Sequence, residues 1–337
     1  NEWIVSGSET VTPSKCTPLC QTQRGSSSCT VQYIGNRIVH VLRRGGTVRD
    51  MGYDYASNTY DGVDLTLLAK HLAKDVSLLT STYNQEPDSV IYYVRDDGQL
   101  NCLTYIREQD VYGWSHWDTD GAYEYAVSIP DGQKDVLYVL VNRTINGVTK
   151  RYIERFLPML DSSEITDYRI MDCYKTYTVT NMTISAPHLA GKEVQILVDG
   201  KRMPDVTVGA DGSITTLSNG TALVGLKYVT QLEQPNVEMQ MRDGTLQGRT
   251  KKITSAILRL ENSKGGKIGP TFTQMDKIPE SIDSLYSGDI KTTIPSVSVG
   301  YNTDGRVCIY HDEPYPFNLL AIIREVSIAS GAISGTP

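Results

Sequence analysis

The sequence predicts an all-β chain: partial β-propeller blades, then a small β-barrel or sandwich module, then a C-terminal β region. Three observations carry that expectation. Tight-turn dipeptides are dense, with Asp-Gly at 61, 97, 120, 131, 199, 211, 243 and 304 and Asn-Gly at 146 and 219, mostly between alternating or β-branched runs. Tyr outnumbers the other aromatics, 21 against 3 Phe and 3 Trp, which suits half-buried strand positions where the ring packs and the hydroxyl stays wet. A strand–turn–strand unit also recurs three times in the first half.

The chain opens Asn1-Glu2-Trp3-Ile4-Val5, strand-like and without Met or a signal-peptide pattern, and is expected to be a piece of a longer polypeptide. The first repeat copy runs from Arg37 to Tyr53, the second from Ser89 to Tyr105 and the third from Asp135 to Tyr152. Their turn glycines Gly46, Gly98 and Gly147 lie 52 and 49 residues apart, near the length of a four-stranded blade. Three blades do not close a ring of four to eight, so the missing ones are expected in sequence outside this chain. One helix is expected from Asp64 to Ala73, with Asp64 capping the first turn and Leu65, Leu68 and Leu72 sharing a face. These residues make up the first domain, 1–172.

After Phe156 comes a polar connection from Pro158 to Thr166. Val179 to Val237 then reads as a compact module with hairpin turns at Asp199-Gly200, Asp211-Gly212 and Asn219-Gly220, giving a second domain at 173–237. The third region, 238–337, holds a long strand pair around Lys252 to Leu260 and a final hairpin of Arg306–Tyr310 with Leu319–Ile328. Between them Thr271 to Pro295, poor in periodicity, is expected to run over a surface or a neighbour.

The 337 residues amount to about two domains at ~150 residues each. With 39% apolar and 21% charged residues the chain is globular rather than disordered, and no stretch is apolar enough for a membrane-spanning helix. The net charge of −7 argues against the basic face of a sequence-reading nucleic-acid binder. One stretch departs from that balance. Arg242, Arg249, Lys251, Lys252, Arg259, Lys264 and Lys267 oppose only Asp243 and Glu261, a local +5 that leaves −12 elsewhere. It is a candidate subunit or channel contact, with a solvated strand face as the alternative.

Trp114-Ser-His-Trp-Asp-Thr-Asp-Gly121 is the richest polar cluster. His116 with Asp118 or Asp120 could act as acid or base beside sugar-stacking Trp rings, but no nucleophile, carboxylate pair or metal set recurs nearby. The favoured reading is the last strand of a blade, with Asp118–Gly121 as the turn into the next. Asp118-x-Asp120-Gly121 lacks the oxygen ladder of a calcium loop. Cys16, Cys20 and Cys29 cluster without a fourth zinc ligand at short spacing, so they read, with Cys102, Cys173 and Cys308, as scattered reduced thiols. No catalytic residue, metal or cofactor is expected.

Several stretches resemble tail nozzle proteins, of the tail tubular protein B type, of short-tailed bacteriophages. They include Gly45–Tyr55, Asp64–Leu72, Gln85–Ile91, Arg95–Gly98, Arg107–Trp114, Thr119–Gly121, Tyr152–Arg155, Leu189–Gly200, Gly225–Tyr228 and Asp304–Ile309. The likeness runs in order over most of the chain and corresponds to the middle and C-terminal part of the family. It implies a non-enzymatic virion component, made in the bacterial host cytoplasm and placed in the virion tail. Such a subunit would form a ring with copies of itself, contact adaptor and fibre or spike proteins, and meet exiting DNA only transiently. An acidic lumen would repel phosphates during transit, whereas tight binding needs many basic contacts. The alternative is a receptor-binding or glycan-degrading tail protein.

Overall fold

The computed structural model describes residues 1–7, 10–157, 168–216, 218–241, 244–279, 284–294 and 302–328. The chain is all-β and built of small antiparallel sheets, and it divides into two compact units, Asn1–Met159 and Leu160–Pro337.

The first unit opens with a ribbon of β1 (Glu2–Ser6) and β2 (Thr17–Thr22). Three meander sheets follow in chain order. The first contains β3 (Gln32–Ile34), β4 (Arg37–Val41), β5 (Val48–Asp54) and β6 (Thr59–Asp61). After a short helix α1 (Lys70–Ala73), the second contains β7 (Leu78–Asn84), β8 (Val90–Arg95), β9 (Leu100–Ile106) and β10 (Val111–Trp117). The third contains β11 (Ala122–Asp131), β12 (Lys134–Ile145) and β13 (Val148–Arg155). Each repeat copy forms the central or terminal hairpin of one sheet.

Turn chemistry fixes these hairpins. Asn146 and Gly147 both have positive φ between the paired residues Ile145 and Val148, as a two-residue primed turn requires. At Gly98, φ is +82° and an added Cβ would lie 2.6 Å from the Ala122 side chain, so only glycine fits there.

The middle sheet is apolar on both faces. On β8 and β9, Ile91, Tyr93, Leu103 and Tyr105 pack toward Val39, Val41 and Val48 of the first sheet. Their alternates Tyr92, Val94, Leu100 and Cys102 pack toward Leu137, Val139 and Val141 of the third. Side chains alternate with period 2, so a continuous apolar run serves two interfaces and the sheets stack face to face.

The expected helix is mostly absent. The Asp64 carboxylate accepts hydrogen bonds from the Thr66 N–H (2.9 Å) and hydroxyl (2.6 Å), while the Leu65 N–H donates to Val48 O, which holds this segment against β5. Such local bonds compete with helical ones. Leu65 is therefore buried and Leu68 is 95% exposed, so they share no face.

In the second unit, β14 (Asp172–Val179), β16 (Glu193–Val198), β17 (Lys201–Arg202), β18 (Val206–Thr207) and β20 (Gly220–Leu226) form one sheet, covered by the pair β15 (Thr183–Ser185) and β19 (Ser213–Thr215). Asp199-Gly200 is a hairpin turn between the paired Val198 and Lys201. Asp211-Gly212 and Asn219-Gly220 are not, because β19 pairs with β15 rather than with its neighbours in sequence.

The C-terminal layers share one core. One sheet is ordered β27 (Tyr286–Thr293), β24 (Lys251–Ser263), β29 (Asn318–Ile328), and the other β21 (Thr230–Glu233), β28 (Cys308–His311), β25 (Lys267–Thr271), β26 (Gln274–Lys277). A small pair, β22 (Gln240–Met241) with β23 (Gly244–Thr245), lies before β24. The expected final hairpin does not form: β28 pairs with β21 and β25, whereas β29 pairs with β24. Pro314 and Pro316 lie in the link, where they suit a passage between layers rather than a tight turn. The stretch from Thr271 also supplies β26 and β27, so part of it is sheet rather than surface loop.

Candidate functional site

The basic stretch is spread over several elements and largely engaged. Arg242, like Asp243, lies outside the described residues. Arg249 is half-buried in the turn before β24, its N–H donating to Leu246 O. Lys251 occupies a core-facing register with Ile253, Ala256, Leu258 and Leu260, and is 1% exposed. Its ammonium donates to the carbonyls of Val237 (2.7 Å) and Leu246 (3.3 Å), so it pins a loop and does not face a subunit or channel. The signal was its shared alternation with Ile253.

Lys252 is half-buried on β24. Arg259 is exposed but makes a two-pronged bond to Asp289 at 2.8 and 2.9 Å. The Lys264 ammonium lies 4.6 Å from the centre of the Tyr315 ring, and that of Lys267 lies 4.9 Å from Tyr310 and 3.3 Å from Asp312. Asp312 is shared with Lys227 at 2.9 Å. Burial alone would raise the Asp312 pKa, but the hydrogen bond and charge of Lys227, with help from Lys267, hold it below the usual carboxylate range. Much of the local excess of +5 is thus answered by acids or aromatic rings.

The Trp114–Gly121 cluster is a junction between sheets. Trp114 packs with the core shared by the first and second sheets, and its ring N–H donates to Leu65 O at 2.7 Å. Trp117, on the opposite face, packs on Tyr92 and Phe156. Asp118–Gly121 links β10 to β11. Here the wholly buried Arg143 donates to Thr119 Oγ1 and Asp120 O, both at 2.7 Å, and makes a two-pronged bond to Glu154. An added Cβ at Gly121 would lie 2.4 Å from Asn142 O, so the glycine lets the link pass close to β12. Both Trp rings pack into cores, and His116 is exposed.

A second polar node, missed in the sequence, centres on Asp50. This fully buried β5 carboxylate accepts from Arg37 Nη2 (2.5 Å), from Arg107 Nη1 (2.6 Å) and from the Tyr105 hydroxyl (2.9 Å). Burial opposes its ionisation, yet the hydrogen bonds from Arg37 and Tyr105 and the Arg37 charge outweigh that and hold its pKa below the usual range. Tyr105 and Arg107 come from the second sheet and the turn after it, so the node ties two sheets together. The available signal was an acid at an inward position, between Val48 and Gly52 on β5.

All six cysteines are free thiols. Cys29 is buried in the core, which pushes its thiol up to about 11, whereas Cys16 is exposed and Cys20 half-buried on β2. Among the described residues no group of three or more His, Cys, Asp or Glu is placed to hold a metal ion, and no helix is long and apolar enough to cross a membrane. No family model matches the chain, and no curated protein does.

Proposed function

We propose that the chain is a non-enzymatic structural component of a short-tailed phage virion, part of the tail nozzle through which DNA is ejected. The observation that carries this reading is the stack of three meander sheets in chain order, the middle one apolar on both faces. Each meander is read as a propeller blade, and further blades would complete the ring. The in-order resemblance supplies the biological setting: copies of the subunit in a ring, adaptor and fibre or spike proteins around it, and DNA passing without lasting contact.

The net charge of −7 supports the last point, since an acidic wall repels phosphates. Lys252 is the member of the basic stretch best placed for a neighbour or the channel, because Lys251 is buried, Arg259 holds Asp289, Lys267 holds Asp312 and Lys264 lies over Tyr315. Mass spectrometry of purified virions, with cryo-microscopy of their tails, tests the reading. The expected result is the subunit in a ring at the tail end. Its absence from the particles, or depolymerisation of a host glycan by the purified chain, would sink the proposal.

A further inference from the structure

The ribbon of β1 and β2 rests on the first sheet with little to hold it. Among the described residues it shares no strand ladder with any other element and adds no side chain to a hydrophobic core. Trp3, Val5 and Leu19 are each more than half exposed. The ribbon's one buried side chain among the described residues is Glu2, which enters against the equally buried His40 of β4 with Oε1 3.7 Å from the ring Nε2. Thr22 donates its hydroxyl to the other carboxylate oxygen, but Glu2 Oε1 and His40 Nδ1 make no hydrogen bond. A second anchor is the Gln21 side-chain carbonyl, which accepts from the Tyr60 N–H of β6 at 3.0 Å. Past the ribbon the chain is fixed again, since the Arg43 N–H donates to Gly25 O (3.0 Å) and the Ser27 N–H to Val41 O (2.8 Å).

We propose that the ribbon is an acid-released clasp, seated on the first sheet while His40 is neutral and detached when His40 takes up a proton. The inference does not depend on the virion reading. A proton on His40 puts a charge into a buried site whose acid partner, Glu2, stands beyond hydrogen-bond reach. Arg49 of β5 and Arg24 after β2 add repulsion, and Arg49 is answered only by Asp61 of β6 at 3.9 Å. Asp50 lines the same small cavity but is taken up by Arg37 and Arg107.

The sign of the pH response follows. Burial, opposed by Glu2 and the Ile38 backbone and reinforced by the two arginines, holds the His40 pKa below the ordinary 6.5. Docking of the ribbon is therefore favoured fully above pH 6.5 and fades as pH falls toward the folded value. Glu2 has the same sign at lower pH. Burial opposes its ionisation, yet the Thr22 hydrogen bond helps to hold its pKa below 4.5, so the range above about pH 5 belongs to His40.

Hydrogen exchange of the purified chain from about pH 8 to about pH 5, read as protection factors so that the intrinsic pH dependence of exchange drops out, tests this. An isolated two-stranded ribbon is marginal in water, so its amides lose protection once it detaches. Expected is a fall of up to roughly tenfold per pH unit below about 6.5 in the protection of β1, β2 and the Tyr60 amide, while β8 and β9 stay protected. In His40→Gln, which cannot take the proton, ribbon protection stays level. In His116→Gln, a control at an exposed histidine, it falls as in the parent chain. The parent titration decides the matter even if His40→Gln does not fold. Ribbon protection in the parent that is level across this range, or an acid loss that folded His40→Gln retains, overturns the inference.

Discussion

In the first unit nearly every strand pairs with its neighbour in sequence, across turns such as Asn146-Gly147, and the sheets then stack in chain order. In the second unit the longest strand, β24, finds partners far along the chain: Lys251 lies opposite Ile328, and Ser255 opposite both Thr293 and Glu325. The contrast extends to buried charge. The first unit places the carboxylate of Asp50 between two arginines and a tyrosine from two sheets, while the second buries the ammonium of Lys251 against two backbone carbonyls. A local meander leaves stacked faces to be joined, and side chains reaching from sheet to sheet do so. A sandwich assembled from distant strands leaves loop carbonyls near its core, and a long side chain satisfies them.

The sharpest way to break this contrast is Asp50→Ala. It strands Arg37 and Arg107 without their counter-charge, and is expected to lower the unfolding free energy by about 3 kcal/mol in urea titrations. Lys251→Met tests the other unit and leaves two carbonyls unpaired, at a cost of about 2 kcal/mol. If Lys251→Met proves as harmless as a surface change, the ammonium is no part of the second unit's core.

The pH response separates the nodes further. The Asp50 pKa lies below its unfolded value, so its contribution is present above the ordinary carboxylate range and is lost as pH falls through the folded value. Asp50→Asn should flatten that acid limb. Cys29 has the opposite sign: raised from 9.0 to about 11, it favours the folded state fully below pH 9, and that contribution fades as pH rises toward 11. Cys29→Val should reduce the alkaline loss, by up to roughly 2 kcal/mol, as read from stability against pH.

Gly121→Ala probes the link between the second and third sheets and is expected to cost about 1 to 2 kcal/mol through its clash with Asn142 O. Arg259→Ala, which opens an exposed ion pair with Asp289, should leave the melting curve unchanged within error.

What could be read from residues alone was whatever depends on near neighbours. Asp-Gly and Asn-Gly turns marked the hairpins around Gly98 and Gly147, and alternation placed Trp114 and Trp117 on opposite faces of β10. Asp64–Ala73 misled because leucine spacing suits a helix, while the Asp64 side chain and Val48 O offer its backbone better partners. The surroundings of the basic stretch were hidden for a related reason. Charge counted along the chain takes no account of which side of a strand each residue faces, nor of Asp289, Asp312, Tyr310 and Tyr315, which meet it only after folding.

The sequence by itself determined the all-β class, the three repeated meanders and their turns, since these follow from period-2 patterning and local backbone preference. Only the tertiary structure decided that β24 joins β27 and β29, that Lys251 is internal, and that Asp50 gathers Arg37, Tyr105 and Arg107. Those choices bring together residues tens of positions apart, and their energy comes from desolvated contacts that exist only once the layers have closed.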